Sequence, residues 1–98
     1  SAPTPAAPAS LTATATSTSQ VNLAWTDNSS NEDGFKIERC SGANCTNFTQ
    51  VATVGVNVWT YSNTGLTKNT FYTYRVRAYN SLGNSGYSNT AAARTLRK

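Results

Sequence analysis

From Leu11 onward, apolar residues fall on every second position in short stretches, and polar turn residues separate the stretches. Val21, Leu23 and Trp25 alternate with Asn22 and Ala24, and Phe35 and Ile37 alternate with Lys36 and Glu38. Successive side chains of a strand point to opposite faces, so this spacing predicts strands with one buried and one wet face. Seven strands are predicted. They span residues 10–16 (Leu11 and Ala13 inward), 20–26, 35–39, 48–54, 58–63, 71–80 and 87–95. In the fifth, Trp59 and Tyr61 share a face. In the sixth, Tyr72, Tyr74, Val76 and Ala78 point inward while Arg75 and Arg77 point outward. Residues 27–34, 64–70 and 81–86 are rich in Gly, Asn, Ser and Thr and read as turns. The expected fold class is all-β: a seven-stranded antiparallel immunoglobulin-like sandwich. Its core would draw on Leu23, Trp25, Phe35, Ile37, Tyr72 and Val76.

The chain has 98 residues, enough for one such domain. Residues 1–9 carry three prolines among small residues, which predicts a semi-extended tether with no core to join. The expected organisation is therefore a Pro/Ala-rich linker at 1–9 and a domain at 10–96. Eight basic and four acidic residues give a net charge of +4. That excess is too thin for the basic stripe of a nucleic-acid binder. No stretch is long and apolar enough to insert in a membrane.

Cys40 and Cys45 bracket Ser-Gly-Ala-Asn. Two cysteines without any histidine cannot close a zinc site. They are either two free thiols or, as is expected, a local disulfide that clamps a loop in an oxidising compartment. Gly42 lets so small a ring close. A ring this short contributes only ~2 kcal/mol by chain entropy, so it shapes a loop more than it holds the domain together.

At Trp25, Leu66 and Tyr72 the chain resembles a fibronectin type III domain, over about residues 8 to 96. In that family a tryptophan on the second strand fills the core. A leucine in the turn before the sixth strand precedes, by six residues, a tyrosine that ties its hydroxyl to upstream backbone. Here these are Leu66 and Tyr72, followed by Tyr74-Arg75-Val76-Arg77-Ala78. The stretch from Trp25 to Arg39 is more similar to bacterial members, which sit between catalytic and binding modules of secreted polysaccharide hydrolases and surface proteins. The resemblance implies a non-catalytic spacer or connector in a secreted or cell-surface protein, with neighbouring domains of the same polypeptide as its partners. Lys68 stands where the family commonly has proline. The turn at residues 80–86 lacks the Arg-Gly-Asp that some animal members use in adhesion.

Candidate chemistry is sparse. With no histidine the commonest general base is missing, and the four carboxylates are Asp27, Glu32, Asp33 and Glu38, three of them in one turn. A glycosidase pair needs two carboxylates facing across a cleft, so no catalytic residue and no cofactor is expected. Asp27, Ser29, Asn31 and Asp33 alternate oxygen ligands, but the glycine is misplaced for a calcium loop, and no metal site is assigned. Trp59 is the sharpest binding candidate. It either lids one end of the core or stacks on a sugar or a neighbouring module, with Tyr79 and Tyr87 adding to it if the three cluster. The alternative function is accordingly a module binding polysaccharide or a cell-surface protein, or one that self-associates. Glu38 is expected to pair with Arg75 or Arg77 across strands. Asn28, Asn44 and Asn47 begin N-glycosylation sequons, expected to stay bare in a bacterial protein.

Overall fold

The alternation resolves into two antiparallel sheets in the computed structural model, which describes residues 4–43 and 45–97. Residues 1–3, Asn44 and Lys98 lie outside that set, and with them the start of the lead-in and one sequon asparagine. One sheet pairs β1 (Ala9–Ala15), β2 (Val21–Thr26) and β5 (Thr60–Asn63) in the order β1-β2-β5. The other runs β4 (Thr49–Gly55), β3 (Gly34–Ser41) and β6 (Phe71–Asn80). Two short pieces, β7 (Gly83–Asn84) and β8 (Ala91–Arg94), pair with opposite ends of β6.

β8 covers only part of the last strand expected at 87–95, and β7 lies in the stretch 81–86 read as a turn. Between them the backbone bonds itself to β6 with serine hydroxyls. Ala78 N donates to Ser85 Oγ at 2.8 Å and Val76 N to Ser88 Oγ at 3.0 Å. Ser85 N and Ser88 N donate back to the Ala78 and Val76 carbonyls. The side chains thus satisfy buried amides that a continuous ladder would have paired.

The core forms where the two inner faces meet. Leu11, Val21, Leu23 and Trp25 come from one sheet; Phe35, Ile37, Tyr72, Tyr74, Val76 and Ala78 come from the other. Each large side chain buried there stabilises by about 1.5–3 kcal/mol. Trp25 packs on Phe35 with ring centroids 5.6 Å apart and planes tilted by 60°. Leu66 packs against the edge of this cluster. Thr67 N donates to the Tyr72 hydroxyl at 3.0 Å, so the buried ring has its polar tip satisfied. Thr95 closes the same corner: its hydroxyl donates to the Thr67 carbonyl at 2.6 Å and accepts from Thr70 N.

Tyr74 is fully buried and crosses the sandwich. Its hydroxyl donates to Asn63 Oδ1 on β5 at 2.7 Å, and Arg39 donates to the same oxygen at 3.0 Å. Burial is the main reason that its hydroxyl is pushed up to about 12.

From Thr4 to Ala9 the lead-in lies against the domain rather than apart from it. Pro5 and Pro8 are buried, and Asn28 donates from its amide to the Ala7 carbonyl. A Cβ on Gly83 would stand 3.3 Å from the Thr4 methyl. Small residues and prolines lose little side-chain freedom on packing, which lets this segment lie flat on the domain.

Gly34, where β3 begins, faces Gly55 on one side and Tyr79 on the other. A Cβ there would overlap the Val54 carbonyl oxygen and press on the Tyr79 ring at 3.0 Å. Backbone cannot yield as a flexible side chain does. Gly34→Ala is therefore expected to cost ~1–3 kcal/mol in urea denaturation. A stability within a few tenths of the parent's would show that β3 and β4 part freely there.

Candidate functional site

The outer face of the five-stranded sheet carries a cluster of charged side chains, Lys36, Glu38, Arg75 and Arg77. The β3–β6 register sets Lys36 opposite Arg77 and Glu38 opposite Arg75. Arg75 Nε donates to Glu38 Oε1 at 2.8 Å, and the Tyr87 hydroxyl donates to Oε2 at 2.9 Å. Arg77 approaches Oε2 at 3.6 Å. The expected cross-strand pairing is present, but Glu38 is not solvated: it is only 6% exposed. Tyr87 and the two arginines cover it. The Arg75 guanidinium lies between two rings, 4.1 Å from the Phe48 centroid and 3.7 Å from that of Tyr87. Arg77 also stacks on Tyr87, and Lys36 lies over Tyr79. The Tyr87 hydroxyl is held above its ordinary value of 10.0, first by burial and then by its bond to Glu38. This surface is a closed network whose cations are already engaged.

The Cys40–Cys45 disulfide forms, and its loop folds back on β6. Thr73 donates from its hydroxyl to the Gly42 carbonyl at 2.7 Å. Gly42 has φ of 120°, a conformation open to glycine.

The acidic turn is a fastener. Asp27 Oδ1 accepts from the Ser29 amide at 3.0 Å, which is an Asx turn. The Ser29 hydroxyl donates to Glu32 Oε1 at 2.8 Å, and Asn57 N donates to Oε2 at 3.1 Å. Glu32 is 4% exposed and joins the β2–β3 loop to the β4–β5 turn. The calcium reading needed these oxygens free and alternating. Among the described residues, no three His, Cys, Asp or Glu side chains gather as metal ligands.

Burial raises the Glu32 carboxyl, but the bonds from Ser29, its own amide and Asn57 outweigh it and set the group below its ordinary 4.5. A depressed carboxyl stabilises the fold above the unfolded value and loses that contribution as pH falls through the folded one. Glu32→Gln is expected to cost ~1–2 kcal/mol at pH 7. Its stability should also fall less steeply than the parent's between neutral pH and the region below 4.5. Parallel slopes in a pH series of melts would remove Glu32 as the cause.

The outer face of the three-stranded sheet is different in kind. It holds a groove of about 320 Å³ lined by Thr12, Thr14, Asn22, Ala24, Thr60 and Ser62. The register aligns them as two rungs, Thr14–Asn22–Ser62 and Thr12–Ala24–Thr60. Trp59 stands one step beyond the second rung, where Trp25 N donates to its carbonyl at 3.0 Å. It is 59% exposed, so it does not lid the core. The ladder ends at Thr60, and nothing forces the next side chain inward. Trp59 makes no ring contact with Tyr79 or Tyr87 among the described residues; those two lie on the outer face of the other sheet. The three candidate aromatics are therefore not one site. The groove was not anticipated; its trace in the sequence is the uncharged Thr12-Ala13-Thr14-Ala15-Thr16.

The family model for the fibronectin type III domain matches residues 6–94. An alpha-amylase of Niallia circulans is 37% identical over 94 residues, covering 93% of this chain and 7% of the amylase. The chain thus spans a small fraction of that relative. Titin domains A168–A170 superpose with a TM-score of 0.81 at 26% identity, covering 94% of this chain and 32% of that one. Chicken CNTN1 domains FN1–FN3 superpose with 0.83 at 22% identity, covering 95% and 33%. The domain FN3tt superposes with 0.81 at 23% identity, covering 99% and 100%.

Proposed function

This chain belongs to the fibronectin type III family, and from that premise we propose that it is a non-catalytic accessory module of a larger extracellular protein, a spacer between neighbouring domains. The observation that carries the reading is the extent of the amylase match, in which nearly all of this chain corresponds to a small part of a much longer enzyme. The bacterial source of that relative supports the setting of a secreted polysaccharide hydrolase. The disulfide suits an oxidising, extracellular location. Glu32 and Glu38 are tied up in structural bonds, which leaves no pair of carboxylates across a cleft. The packed lead-in fixes where the chain enters the sandwich, as a spacer requires.

The test is to place the chain between two fluorescent reporter domains and read their separation by energy transfer. A rigid spacer gives a narrow distance distribution, unlike a Gly/Ser linker of equal length. An equally broad distribution would sink the reading, and so would glycoside hydrolysis by the chain alone. The exposure of Trp59 favours a second reading, in which the same module also binds polysaccharide.

A further inference from the structure

Building on that second reading, we propose that the groove on the outer face of β1, β2 and β5 docks a strand of neutral polysaccharide, with Trp59 at its end. The charge distribution argues for the occupant. Every described charged residue lies on the five-stranded sheet, in a turn or in the C-terminal segment, and none lies on β1, β2 or β5. In a chain of net charge +4, a whole sheet face without an ionisable group is a selective feature. It neither attracts an anion nor asks a ligand to desolvate a charge.

The lining groups match a polyol. The hydroxyls of Thr14, Thr60 and Ser62 make no hydrogen bond among the described residues, and each can both donate and accept. The Thr12 hydroxyl has only a 3.5 Å contact to the Ala24 carbonyl. Rungs of such groups repeat at about 4.8 Å between strands and about 6.8 Å along them, an array on the scale of successive sugar rings. In the second rung Ala24 on the middle strand leaves an opening between the taller Thr12 and Thr60. Trp59 precedes Thr60 with the opposite parity and does not line the groove, but its exposed ring just past the second rung is available to a glycan that runs beyond the array, an apolar complement to a few placed polar groups. One exposed ring and a shallow trough imply a dissociation constant on the order of 1 mM. Repeated engagement along a polymer compensates for such weakness.

The experiment is an amide-NMR titration of the ¹⁵N-labelled chain with maltoheptaose, cellohexaose and chitohexaose, each neutral, and with polygalacturonate as the charged counterpart. At least one neutral glycan is expected to shift the amides of Thr14, Asn22 and Ser62 and the Trp59 indole, while polygalacturonate leaves them in place. T14E/S62E, which alters only exposed positions, should weaken binding at least tenfold, and so should W59A; Lys68→Ala, in the β5–β6 turn and not part of the groove's lining, should not. No shift with any neutral glycan overturns the proposal, as do shifts confined to the Tyr79 and Tyr87 face. A concentration-dependent dimer that T14E/S62E dissolves would also overturn it, by making the occupant a second copy. The energy-transfer test of the spacer is independent of glycan, so either idea can fail alone.

Discussion

Trp25→Ala is expected to lose ~3–5 kcal/mol, enough to leave a domain of this size barely folded at ambient temperature. The indole is the last of the second strand's inner row, after Val21 and Leu23. It is 4% exposed and packed on Phe35 from the facing sheet. Removing it leaves a void that two hydrogen-bonded sheets cannot close without shifting both. Its indole N–H has no acceptor among the described residues, so the contribution comes from ring packing rather than a hydrogen bond. Trp25→Phe should therefore keep much of the stability that Trp25→Ala loses. Guanidinium denaturation of both variants checks this. A loss below about 1 kcal/mol for the alanine variant would mean that the sheets are not held by this contact.

That ring's burial was legible in the alternation alone, and so were the rows containing Phe35, Ile37, Tyr72 and Val76. Their period of two leaves one arrangement with a dry side. What sequence patterning missed has a common cause: the covering group comes from an irregular segment. Glu38 read as solvated because its parity is outward, yet Tyr87, in the break between β7 and β8, folds over it. The break itself was hidden because Ser85 and Ser88 look like turn residues, whereas here their hydroxyls stand in for a ladder. The burial of Pro5 and Pro8 was not legible, since proline composition reports stiffness and not what lies beside it. Trp59 shares parity with Tyr61, but parity predicts a face only while the ladder continues. The groove was half legible. The missing charge on its strands is plain in the sequence, but its trough depends on a three-strand register that places Ala24 between Thr12 and Thr60.

The Glu38 network should give the second-largest effect, and it tests why one sheet face is closed while the other is open. Glu38→Ala is expected to cost ~2–4 kcal/mol. Removing one partner of a fully buried ion pair costs about 3–5 kcal/mol. The figure here is lowered because the Arg75 and Arg77 side chains are 28% and 24% exposed and water recovers part of the loss. The loss has three parts: two guanidiniums and Lys36 left on one face without a counter-charge, the Tyr87 hydroxyl left without its acceptor, and the ring freed to swing off Arg75. Since these share one carboxylate, Glu38→Ala and Tyr87→Phe should not add. In a double-mutant cycle by urea denaturation their coupling is expected to reach ~1 kcal/mol or more. Additivity within ~0.3 kcal/mol would mean that Tyr87 merely lies over the pair. The same carboxylate explains the functional asymmetry of the two faces. With Glu38 in place, Arg75 and Arg77 are paired and stacked and offer little to an acidic ligand. In Glu38→Ala those cations are released, so the variant should acquire weak, salt-sensitive binding to polygalacturonate that the parent lacks, while the neutral face keeps its own preference.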